Sequence, residues 1–169
     1  MTRMKAARAI ATFGYIGLLR PASGTWGSLA ALPLGYLLHW LGGFPLLALA
    51  SAALFGIGLW AVRVETAANP TEDPSEIVVD EVVGQWIALF PLSAGLWMMG
   101  MPPALFPWPG WVGGFLMFRL FDIWKPWPVS AADNLHSPFG VMLDDVLAGL
   151  YAAIVVSAAA AVSHGLMGA

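Results

Sequence analysis

The 169-residue sequence contains no cysteine, and only 10% of its residues are charged. The first absence removes disulfides, thiolate metal sites and cysteine nucleophiles together, and it is compatible with either redox compartment. The second excludes an ordinary water-soluble domain, in which about a quarter of the residues are charged. A basic field is also missing. Seven Lys and Arg against ten Asp and Glu give a net charge of −3, which excludes nucleic acid as a partner. In place of charge the chain has apolar surface. It is 59% hydrophobic with a mean hydropathy of +0.77, the composition of a membrane protein.

The few charges are gathered at Arg3, Lys5, Arg8 and Arg20, between Arg63 and Glu81, and between Arg119 and Asp145. The first charge-free stretch, Pro21 to Val62, is about twice the roughly 20 residues that a helix needs to cross a bilayer. Gly42-Gly43-Phe44-Pro45 is its natural break, which predicts spans near 27–41 and 45–62. The stretch from Val82 to Phe118 is interrupted by Met101-Pro102-Pro103 and Pro107-Trp108-Pro109. It predicts spans near 82–100 and 110–121, the latter short enough to be tilted, re-entrant or extended back toward Ala104. Val146 onward holds a last span near 146–163. The expected fold is all-α: one membrane-embedded domain, 1–169, of five spans or four, without an internal repeat.

Hairpins of this kind return every charged cluster to one side of the membrane. The N-terminal cluster is purely basic, which places that side in the cytoplasm and, with five spans, the C-terminus outside. Residues 1–20 read as an interfacial amphipathic helix with Arg8 and Arg20 at headgroup level, since no small-residue cleavage site precedes a hydrophilic segment. Trp40, Trp97, Trp108, Trp111 and Trp127 fall near the predicted span ends, where indoles anchor at the interface.

Acids gathered at a membrane surface in so uncharged a chain need a reason. Glu76, Asp80 and Glu81 precede one span; Asp122, Asp133, Asp144 and Asp145 surround another. One reading is electrostatic capping, with Asp80-Glu81 and Asp144-Asp145 in the first turns of the helices that follow. The other is a metal site. Adjacent helical residues point about 100° apart, so each pair can send one carboxylate inward, and the repulsion of clustered carboxylates is relieved by a cation. All-oxygen ligation with one nearby His suits Mg²⁺ better than zinc. Arg119, Asp122 and Lys125 are spaced i, i+3 on a helix ending before Pro126 and offer two cations to a phosphate; an Asp122–Lys125 salt bridge with a snorkelling Arg119 is the plainer alternative.

The segment Arg20-Pro21-Ala22-Ser23-Gly24-Thr25-Trp26-Gly27-Ser28 sets hydroxyls and small residues before a helix, either as an N-cap by Ser23, Thr25 or Ser28 or as a cradle for an anion. His39 and His164 fall on the far side, which leaves His136 alone on the charged face as a loop hydrogen-bonder or an acid for a leaving group. Two histidines would be needed there for phosphohistidine chemistry.

Four motifs in order resemble the phosphatidylglycerophosphatase A family over nearly the whole chain: Gly24-Thr25-Trp26-Gly27-Ser28, the run Ile77 to Trp86 containing Asp80-Glu81, the run Phe118 to Pro128 containing Arg119, Asp122 and Lys125, and the run Gly140 to Gly149 containing Asp144-Asp145. The resemblance implies a bacterial inner-membrane, Mg²⁺-dependent phosphatase that converts phosphatidylglycerophosphate to phosphatidylglycerol and inorganic phosphate. It implies that the functional acids are Asp80, Glu81, Asp122, Asp144 and Asp145, with Arg119 and Lys125 as cations; Glu65, Asp73 and Glu76 lie outside the matched motifs. His136-Ser137-Pro138-Phe139-Gly140 departs from the family's more glycine-rich pattern. On this reading Asp80, Glu81, Asp144 and Asp145 hold one or two Mg²⁺, while Thr25, Ser28, Arg119 and Lys125 bind phosphate. The nucleophile is a metal-activated water or Asp122. Alternatives are a phosphatase of another lipid or polyprenyl phosphate, and a non-enzymatic membrane subunit whose acids bind a cation or a partner.

Overall fold

The structure, a computed structural model, describes residues 2–68 and 74–167, with side chains through 163. Among these there are seven α-helices, one short 3-10 turn and no strand. Helix α1 spans Thr2–Ala11, α2 Ser23–Glu65, α3 Val79–Ala88, α4 Phe90–Met98, α5 Trp108–Trp124, α6 Val129–Asp133 and α7 Pro138–Met167. Two segments, Ser23–Glu65 and Pro138–Ser163, are long and apolar enough to cross a membrane.

The breaks follow glycine and proline. Helix α2 loses helical geometry at Gly42 and at Gly43, whose φ of 64° favours glycine, and Pro45 opens the second half. A Cβ on Gly27, in the first half, would fall 2.9 Å from Val78 Cβ; one on Gly58, in the second, would fall 3.1 Å from Val79 Cγ2. Both halves therefore reach the start of α3, and the chain reverses at the break as expected. Helices α3 and α4 part at Leu89 because Pro91 has no N–H for the Ile87 carbonyl. Helix α5 starts at Trp108, after Pro107, and does not extend back to Ala104.

Helix α3 is the centre of the bundle, with every residue buried except Glu81. Val79, Val83 and Ile87 pack with Ala7 and Ala11 of α1, Ala61 and Val62 of α2 and Met142 of α7. Val82, Trp86 and Leu89 pack with Ala31, Leu32 and Leu47 of α2, and Ala88 packs with Phe118, Val129, Ala148 and Ala152. Leu34, Leu37, Leu41, Leu49 and Ile57 of α2, with Leu150, Ile154 and Val162 of α7, are exposed and make the outer surface apolar.

The N-terminal helix differs from expectation. Positive φ angles at Phe13, Gly14 and Tyr15 end it before Arg20, so Arg8 and Arg20 do not share one amphipathic helix. Neither is held out as a free headgroup anchor: Arg8 pairs with Glu65 (3.2 Å) and Glu76, and Arg20 reaches Glu76 at 3.7 Å. Hydrogen bonds that Arg8 donates to Glu65 and Glu76 raise its pKa against the lowering effect of burial. These pairs tie α1 to the end of α2 and to the approach to α3.

Candidate functional site

The acids of α3 and α7 meet because two glycines let the helices touch. A Cβ on Gly149 would fall 2.4 Å from Gly84 O, and one on Gly84 would fall 2.6 Å from Asp145 O, so no larger residue fits without parting the backbones. The helices run parallel: Val79 and Met142 both pack against Gly58 near one end of the contact, while Gly84 and Gly149 meet further along. Asp80 and Asp145 each stand four residues, about one turn, before a crossing glycine and come to lie over the contact. One carboxylate oxygen each from Asp80, Glu81 and Asp145 falls within 4.8 Å of the others. Asp80 is 8% exposed and Asp145 3%.

Three carboxylates withdrawn from water repel one another unless a cation lies between them. An all-oxygen set on two rigid helices suits a hard divalent ion. The fit has a second mark: Glu81 Oε2 is buried without a hydrogen-bond partner, a donor atom with capacity left for a ligand.

The first turn of α2 closes the pocket from another side. A Cβ on Gly24 would fall 2.1 Å from Glu81 Oε1 and 3.2 Å from Arg119 Nη1, so the Gly24 backbone presses directly on an acid and a guanidinium. Arg119 is ion-paired with Asp122 one turn along α5, and both side chains are largely buried. A guanidinium at the lip of a carboxylate pocket, facing a helix N-terminus, is an arrangement that receives phosphoryl oxygens.

Several expectations are corrected here. The hydroxyls do not cap α2: its N-cap is Ala22, Ser23 donates to Ser75 O, and Ser28 donates to Gly24 O at 2.9 Å. Thr25 is half-buried, and its N–H bonds Ala22 O at 3.0 Å. Asp144 and Asp145 are not first-turn residues, because Ser137 and Pro138 start α7 well before them; Gly140 N–H donates to Ser137 Oγ at 3.1 Å. Lys125 does not pair with Asp122. Helix α5 ends at Trp124, Lys125 turns into the left-handed region at φ 47°, and its ammonium reaches Asp133 and, at 2.7 Å, Asp144. Burial lowers the Lys125 pKa, but the two carboxylates outweigh it and the net direction is upward. Asp144 therefore holds Lys125 and lies outside the convergent set of three acids.

His136 is exposed in a loop with its Nδ1 2.6 Å from Asn134 O, as a loop hydrogen-bonder would be. His39 is buried far from the acids, 2.8 Å from Ser93 Oγ. Asp73 and the His164 side chain lie outside the described residues. Gln85 has no counterpart in the expectations: it is fully buried, and neither amide atom has a hydrogen-bond partner.

A helical chain with two segments long and apolar enough to cross a membrane, and with carboxylates gathered beside an arginine, has the features of a membrane-associated protein with a site for a cation and an anion. Comparison with known proteins makes the class specific. Residues 9–160 match the phosphatidylglycerophosphatase A family model, and the chain belongs to that family of phosphoric monoester hydrolases. Phosphatidylglycerophosphatase A of Haemophilus influenzae is 40% identical over 144 residues, covering 84% of this chain and 81% of that one. The Escherichia coli K12 protein of the same name is 36% identical over 139 residues, 81% of this chain and 73% of its own. A Bacteroides thetaiotaomicron protein with the provisional name phosphatidylinositol-3-phosphatase is 38% identical over 144 residues, 82% and 83% of the two chains. No solved structure matches the chain.

Proposed function

We propose that this protein is a multi-pass enzyme of the bacterial inner membrane that hydrolyses phosphatidylglycerophosphate to phosphatidylglycerol and inorganic phosphate, with Mg²⁺, at the cytoplasmic face. The observation that carries the reading is the convergence of Asp80, Glu81 and Asp145 beneath Gly24 and Arg119. Five spans are supported by the break in α2 at Gly42-Gly43, by the near-continuity of α3 with α4, and by α5 and α7. Cytoplasmic orientation is supported by the basic N-terminal segment, whose Arg8 joins the same charged end as the acids.

In this mechanism Asp80, Glu81 and Asp145 hold Mg²⁺, which when bound supplies positive charge to the terminal phosphoryl oxygens. Arg119 binds an equatorial oxygen of that group, and the first turn of α2 closes over it at Gly24, with Thr25 contributing its hydroxyl because its N–H is already bonded to Ala22 O. Asp122 fixes the Arg119 guanidinium, and Asp144 fixes the Lys125 ammonium close to the carboxylate set. A water oxygen bonds to phosphorus and gives up a proton, the bond from phosphorus to the glycerol oxygen breaks, and the released glycerol oxygen takes up that proton. The site lies where the charged end meets the apolar surface, so the acyl chains stay in lipid while the headgroup reaches the acids.

The test is phosphate release by the purified protein from phosphatidylglycerophosphate, with Mg²⁺ and with a chelator, beside phosphatidylinositol 3-phosphate and a polyprenyl phosphate. Fast, Mg²⁺-dependent release from the first substrate is expected. Faster turnover of another lipid phosphate would reassign the substrate, the Bacteroides relative making the inositol lipid a specific competitor. No release from any would leave a non-enzymatic subunit, and a trapped phosphoenzyme would replace water by Asp122 as nucleophile.

A further inference from the structure

Among the described residues, all the buried side-chain nitrogens and oxygens that lack a hydrogen-bond partner belong to Glu81, Gln85 and Arg119, and of these Arg119 is held by its ion pair with Asp122. Glu81 and Arg119 flank Gly24. Gln85 stands four residues after Glu81 on α3, on the same face one turn deeper, and side chains on a helix lean back toward the preceding turn. The angular order around α3 sets Gln85 beyond Glu81 on the side away from Gly84, the residue that meets α7. It is thus on the Arg119 and α2 side of the pocket, away from Asp145.

A fully buried amide without a partner is uncommon in folded proteins and destabilises the fold. An apolar residue would serve a pure packing role better at this position. We propose that Gln85 is a substrate-binding residue whose Nε2 donates a hydrogen bond to an oxygen of the phosphoryl group lodged between Arg119 and the first turn of α2. The assignment rests on the phosphatase reading above and deepens it: the ligand is a phosphomonoester oxyanion, and the contact adds a donor without adding charge next to the acids.

The near-isosteric variant Gln85→Met separates this role from a structural one. In detergent-purified protein, Q85M melts at the wild-type temperature or about 2–4 °C above it, because the unpartnered amide is gone. Its KM for the lipid phosphate and its Ki for inorganic phosphate both rise about tenfold or more, the loss of a hydrogen bond to a charged oxygen. Gln85→Glu, of equal size, places a negative charge against the phosphate and raises both constants further. A Q85M protein that melts several degrees lower or fails to fold overturns the assignment, since the amide is then structural. Wild-type KM and Ki in Q85M overturn it as well. Absence of phosphate release by the wild-type protein would instead remove the phosphatase reading itself.

Discussion

Arg119 shows how one residue joins the two charged sets of the pocket: its guanidinium pairs with Asp122 and also stands at Gly24 beside Glu81. Lysine would keep the charge and lose the planar fork. Arg119→Lys is expected to lower turnover about 10- to 100-fold while the melting temperature changes by no more than a few degrees, as read by phosphate release and thermal unfolding. At this scale the sequence singled out the acids, and the fold decides which of them converge: Asp80, Glu81 and Asp145. Asp144 and Asp145 are neighbours pointing about 100° apart, and only the packing of α7 on α3 turns one to the acid cluster and the other to Lys125. The partner of Lys125 depends on the helix ending one residue before it. Gln85 was hidden because an uncharged amide in an apolar run carries no charge pattern; its i+4 spacing from Glu81 was the one available signal.

Among the elements, the α3–α7 crossing sets the distance between carboxylates. Gly149→Val is expected to push the backbones apart, to lower the melting temperature by several degrees and to cut Mg²⁺-dependent phosphate release at least tenfold. Gly56→Ala, where an added Cβ meets nothing within 4 Å, is the control that leaves both unchanged. The helices themselves were legible from glycine and proline: the Gly42-Gly43 turn is where the composition placed it. Equal Asp-to-Gly spacing in 80–84 and 145–149 is visible in the sequence, but contact between those two helices is a tertiary fact that no local pattern contains. The early start of α7 was missed because Pro138 reads as a breaker, whereas at a helix's first position it is favourable.

For the whole molecule, the proposed cation site at Asp80, Glu81 and Asp145 would couple folding to ion binding. An ion present at about 100 times its dissociation constant stabilises a protein by about 2.7 kcal/mol. Chelation is therefore expected to lower the melting temperature by about 5–10 °C, and added Mg²⁺ to restore it; a cation-independent melt would remove the metal from the site. The scarcity of charge was the most informative global feature of the sequence. Its three clusters, far apart along the chain, meet at one end of the bundle, where Arg8 reaches Glu65 and Glu76 and Lys125 reaches Asp133 and Asp144.

That one-ended distribution has a kinetic consequence for an enzyme acting on lipid. On the proposed reading, an apolar flank bearing Leu34, Leu37 and Ile154 would keep the protein and its lipid substrate in the same two-dimensional fluid. Encounter is then by lateral diffusion, and the concentration that governs turnover is the mole fraction of substrate in the lipid sheet. Diluting the sheet with inert lipid slows such a reaction; diluting the surrounding water does not.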